Sequence, residues 1–262
     1  EIFHLVIPDV FVDNHVSNGA DYQYVLTHLF TQHNKLGGEL GKYLEQDFQP
    51  SLEESLLKKD WDITPYVTVY NRPPDQGFTQ FLDNPRYSTG YTTLWNTLGF
   101  MVETHMLKPY VQRVEGTYEI MLSVLDVVEK DFENIKKLRA EAAAKTMEQQ
   151  RYFLNWAVDT TQSKTLNFKG YEALLPLSEI TGLPRLKYNR NQPFEKEVRF
   201  QHQYYPLDTI AVPEAYIFSK SWKDITSRLD ANNIAYQTLE QDTTLFLESY
   251  QIDSYETYNR PY

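Results

Sequence analysis

Two short apolar runs in this chain end on groups able to do chemistry. Phe11-Val12-Asp13-Asn14-His15 delivers an imidazole, and Gly99-Phe100-Met101-Val102-Glu103 delivers a carboxylate. An imidazole at the carboxyl end of a buried strand suits a metal ligand. A carboxylate in the same setting suits a general base, so the pair is what a hydrolytic metal site in an α/β fold needs. Asp13 and Asn18 flank His15 as groups that could orient it. Burying Glu103 behind four apolar residues is costly unless it is paired, and a salt bridge to Lys108 or Arg86 is the structural alternative to the base role.

Other polar residues stand near these two. His105 lies two residues beyond Glu103 and shares its side if the strand continues; it could orient the carboxylate, bind substrate, or be a plain hydrogen-bonded histidine. The turn-rich segment 84–91 carries Arg86, Tyr87 and Tyr91. Arginine suits bidentate recognition of a carboxylate, and an ion pair with Asp83 is the structural alternative. His28 and His33 are not spaced i, i+4 and do not read as a metal pair on a helix. Residues 45–47 read as a solvated acidic face.

The elements that must position these groups follow from periodicity and punctuation. Residues 3–12 are strand-like, interrupted by Pro8, and residues 22–30 are extended. Helical spacing runs over 36–48, weakened by three glycines. Pro50 opens a second helix with Glu53 and Glu54 in its first turn. Residues 65–70 read as a strand, 92–96 as a short helix and 98–102 as a buried strand. Pro109 starts a long helix whose Leu122, Leu125 and Val128 are expected in the core, and residues 139–145 continue it as an exposed connector. After residue 160 come short strands over 165–175, 198–205, 209–212, 215–218, 234–239 and 244–255. A helix capped by Ser221 sits among them.

Composition sets the bounds. The chain has 262 residues, 41% hydrophobic, with 20 tyrosines and 14 phenylalanines. That suffices for a sizeable core. A formal charge of −11 offers no basic surface for nucleic acid or anionic membranes. There is no cysteine, hence no disulfide, thiolate nucleophile or cysteine metal cluster. No apolar run reaches the length of a membrane span.

Three segments together resemble one family. Residues 13–24, 85–91 and 102–110 look like the later half of a zinc carboxypeptidase domain of the carboxypeptidase A type, and most closely a bacterial subgroup of large proteins carrying it. Residues 213–217 and the Trp222 helix resemble the β-rich region that follows the domain in that subgroup. The resemblance implies an α/β fold: a partial three-layer, carboxypeptidase-like mixed sheet with helices over 1–130, a helical connector over 131–160, and a smaller β-rich α+β module over 161–262. It also implies that His15 is a zinc ligand, that Glu103 is the general base, and that Tyr87, with Tyr91 second, binds substrate beside Arg86 and His105. In the family, an HxxE motif and the arginines that grip the substrate carboxylate lie upstream, and this sequence contains no HxxE. The chain is therefore expected to be part of a longer, secreted or cell-envelope metallopeptidase acting on peptide substrates, inactive alone, with an exposed sheet edge prone to self-association. The alternative is a carboxypeptidase-like protein that binds peptide or glycan without catalysis. Tyr204, Tyr205 and Trp222 would suit a binding module after residue 160.

Overall fold

The computed structural model describes residues 1–257 and 259. The chain is mixed α/β and falls into two compact units, Ile7–Glu214 and a second made of Glu1–Val6 with the segment from Ala215 onward. The divisions lie at residues 6/7 and 214/215.

The second unit holds α1 (Ile2–Val6) and α7 (Lys223–Ala231). Here two expectations fail. Residues 2–6 are helical, because Pro8 and a left-handed Ile7 (φ 48°) stop any strand from running through them. No strand forms over 215–218, 234–239 or 244–255. Most of their apolar residues, Phe246 among them, stay exposed, so these segments bury no face that would hold them against a neighbouring strand. The ending 258–262 lies outside the described residues but for Asn259.

In the larger unit, β1 (Val10–Ser17), β2 (Leu26–Phe30), β3 (Ile63–Pro65) and, after the two-residue β4 (Phe78–Thr79), β5 (Leu98–His105) give a four-stranded sheet of order β1-β5-β2-β3. It is mixed: β1 runs parallel to β5, β5 antiparallel to β2, and β2 parallel to β3. The strand expected over 65–70 stops at Pro65. Tyr66 makes one more bond to His28, and the chain then turns at Val67–Val69.

Three helical segments follow β2: α2 (His33–Leu36), α3 (Gly38–Tyr43) and α4 (Gln49–Leu57), the last two joined by a π-helical turn, Leu44–Phe48. α5 (Ser88–Thr93) precedes β5, and α6 (Tyr110–Met147) follows it, capped by Pro109 and kinked at Asp131. One hydrophobic core lies between the sheet and these helices, with Leu26, Phe48, Leu98, Phe100 and Ile120 fully buried. α6 buries Gly116, Ile120, Ser123, Val124 and Val127. Leu125, expected in the core, is 63% exposed. Gly116 sets this rotation, because a Cβ there would meet Trp61 and Leu26 at 2.9 and 3.1 Å, so only glycine lets α6 sit this close to β2.

Beyond α6 come β6 (Arg151–Phe153), β7 (Trp156–Val158), β8 (Lys164–Leu174), β9 (Lys187–Gln201), β10 (Tyr204–Pro206) and β11 (Thr209–Ala211). β8 and β9 form a long antiparallel pair extended by β4. This pair shares a second hydrophobic cluster with Tyr22, Tyr24, Val67, Val69 and Phe78, so the strands after residue 160 pack on the earlier part of the chain.

Candidate functional site

β1 and β5 are neighbours in parallel register, with His15 beside Glu103 and Ser17 beside His105. Paired residues of adjacent strands share a face, and alternation adds Asp13 to it. Three groups of different chemistry are thus set side by side near the carboxyl ends of two strands. His15 Nε2 lies 3.0 Å from Asp13 Oδ2, with its side chain 46% exposed.

Glu103 is 8% exposed. Its Oε2 is buried with no hydrogen-bond partner among the described residues. Burial pushes its carboxyl up to about 7; the nearby His15 pulls it down and Asp13 pushes it further up. Lys108, one of the two cations proposed to neutralise it, lies instead 3.7 Å from Asp21, and Asp83 has Lys35 at 3.5 Å. Around the site stand Thr27, paired with Glu103 across β2 and β5, and the phenols of Tyr22 and Tyr66, both raised mainly by burial and further by the Glu103 charge.

His105 is fully buried, and both ring nitrogens are in use. Nε2–H donates to the Ala20 carbonyl at 2.8 Å, and Nδ1 accepts from the Leu107 amide at 3.1 Å. Burial holds it below the usual imidazole range. The ring meets Tyr22 edge-on, with centroids 4.8 Å apart. Of the roles considered for His105, these contacts match the hydrogen-bonded histidine, and they leave it no nitrogen for substrate. Asp21 closes this end of the site, bonded by Arg190 Nε at 2.7 Å as well as approached by Lys108.

Arg86, Tyr87 and Tyr91 sit at the start of α5. Tyr87 packs edge-on against Phe81 at 5.0 Å, and Phe81 against Tyr66 at 6.5 Å. An aromatic series thus leads from Tyr87 to a phenol that feels the Glu103 charge. Tyr91 instead packs on Trp95. Tyr66 was not legible as a site residue, since nothing in its spacing places the chain after β3 near β5. Tyr22 could have been found, because it follows β1 by five residues within segment 13–24, one of those that carry the resemblance.

His28, His33 and His202 lie together elsewhere in the larger unit. His28 Nε2 lies 2.9 Å from Glu53. Glu45, read as solvated, is three-quarters buried: its Oε1 accepts from Gln203 Nε2 at 2.8 Å and lies 3.0 Å from His202 Nε2 and 3.4 Å from His33 Nε2. Among the described residues no group of three His, Asp or Glu side chains could hold a metal ion. No helix is long and apolar enough to cross a membrane. Comparison with family models, curated proteins and solved structures finds no match to this chain.

Proposed function

We propose that this chain supplies part of a zinc peptidase site, with Glu103 as the general base and His15 as one zinc ligand, in a carboxypeptidase-like arrangement. The observation that carries it is the register of β1 and β5, which sets an accessible imidazole beside a buried, unpaired carboxyl poised near neutrality. A base with that pKa can take a proton from an attacking water and return it to the leaving amine at pH 7. Tyr87 and Arg86 would bind the peptide from the α5 side, with Tyr91 a weaker candidate because it packs on Trp95.

Zinc does not fit the described residues alone. A catalytic zinc takes three protein ligands, and His15 is the only imidazole on this face with a free path to solvent. Two further ligands would have to come from other polypeptide, so no step is assigned to the metal and the chain by itself is expected to be inactive. The second reading is a peptide- or glycan-binding protein using the Tyr66–Phe81–Tyr87 aromatic series.

The test is hydrolysis of a blocked peptide, with metal content, in the intact polypeptide that carries these residues. Glu103→Gln should lower kcat by about 10²–10⁴ with zinc retained. His15→Ala should lower zinc content. Wild-type turnover in Glu103→Gln removes the base assignment, and a zinc-free, inactive intact protein favours the binding reading.

A further inference from the structure

β1 is the open edge of the main sheet. Eight residues long, it contains no proline or lysine, the usual devices that keep such an edge from pairing. Directly beside it, α6 presents Tyr110, Val111, Val114, Tyr118, Met121 and Leu125 to solvent. From Val111 onward these residues recur at spacings of 3, 4, 3 and 4, the seam pattern of paired helices. The stripe adjoins the strand edge, since Asn14 Nδ2 of β1 touches Met121 Sδ at 3.8 Å.

Most acidic residues beside the stripe sit elsewhere. At 3.6 residues per turn, Glu115, Glu119 and Asp126 fall on a flank about 80–120° round from the stripe's centre, while Glu129 shares the azimuth of Val111 one turn past the stripe's end at Leu125. Lys59, just past α4, reaches Glu119 and Asp126, so that flank faces away from β1. A chain carrying eleven excess negative charges thus has a joint surface, strand edge plus apolar stripe, with Glu115, Glu119 and Asp126 set to one side.

We propose that a second copy of this chain occupies that surface about a two-fold axis. The two β1 strands pair antiparallel to make one eight-stranded sheet, and the two α6 stripes pack against each other on one side of it. A two-fold axis through the β1 edge brings stripe to stripe and leaves the acidic flanks outermost, so the surface is complementary to itself in charge as well as shape. A band about 25 Å long and about 20 Å wide gives roughly 500 Å² per partner, about the 1,000 Å² total that a specific interface requires. The assignment does not depend on the peptidase reading.

The test is sedimentation velocity of the chain from about 1 to 100 µM, with circular dichroism to verify folding. The expected result is a species of twice the 30.9 kDa chain mass, converted to monomer by Leu125→Glu with the spectrum unchanged. Because the chain has no cysteine, single substitutions Met121→Cys and Tyr118→Cys should give disulfide-linked dimers on oxidation, while a cysteine at Lys58 should not. A monomer throughout the range overturns the proposal. So does a dimer that survives Leu125→Glu, or one lost instead on Phe246→Glu in the other unit.

Discussion

Two of the places where glutamate meets histidine in this molecule differ in outcome. At β1 and β5, Glu103 has an imidazole nearby but a buried oxygen without a hydrogen bond, and its carboxyl rises to about 7. On the π-helical turn, Glu45 gathers Gln203, His202 and His33 round one oxygen, and burial pushes both imidazoles down. The residue types are the same. What differs is how many donors reach the carboxylate. A saturated carboxylate ties α2 and the π turn to the end of β9, whereas an unsaturated one keeps a proton available near neutral pH.

The largest expected effect breaks the saturated cluster. Glu45→Ala leaves the half-buried His202 and Gln203 without their shared acceptor and should cost about 2–3 kcal/mol, read from the urea midpoint at pH 7. A cost below about 0.5 kcal/mol would mean that the network is not structural.

Glu103→Gln should act in the opposite direction. A carboxyl whose folded pKa lies above its unfolded value stabilises most below the unfolded pKa, and that stability is lost as pH rises towards the folded value. Between about pH 4.5 and 7 the wild type should therefore lose stability that the glutamine variant keeps. The variant should come out more stable at pH 8 by about 1–2 kcal/mol, allowing for relaxation and water entry. Equal pH profiles for the two proteins would refute the raised carboxyl, as would infrared detection of an ionised Glu103 at pH 5.

The histidine cluster gives a third contrast. His33 and His202 are lowered, so as pH falls below their ordinary value the unfolded chain binds protons that the native chain resists, and stability declines with acid. His202→Gln should flatten that acid limb in denaturant melts between pH 7 and 5. A limb of unchanged slope would assign it to other groups. The smallest effect is Asp13→Asn. Asp13 pushes the Glu103 carboxyl up, so its neutralisation should lower the Glu103 titration midpoint, followed by carboxyl-carbon NMR. A rise would mean that Asp13 acts chiefly by orienting His15.

The strand bearing Glu103, the long helix after Pro109 and the two-residue alternation of Asp13, His15 and Ser17 were legible because each is local: apolar runs, a proline cap and period-two spacing need no partner. The rotation of α6 was not. Its apolar residues cover more than half of its circumference, and Gly116 against Trp61 and Leu26 decided which of them went inside. Strand patterns over 234–255 were misleading, because alternation marks a strand only where an edge is on offer to pair with it.

By itself, then, the amino-acid order determined the kinds of group present and their local spacing: an imidazole at the end of one apolar run, a carboxylate at the end of another, no thiol and an excess of acidic residues. Only the tertiary structure decided that His15 and Glu103 stand side by side, that Lys108 goes to Asp21, and that His105 is spent on the backbone. Those outcomes depend on inter-strand register and burial. They join residues more than 80 positions apart, and register is set by the packing of the whole sheet rather than by any segment of it.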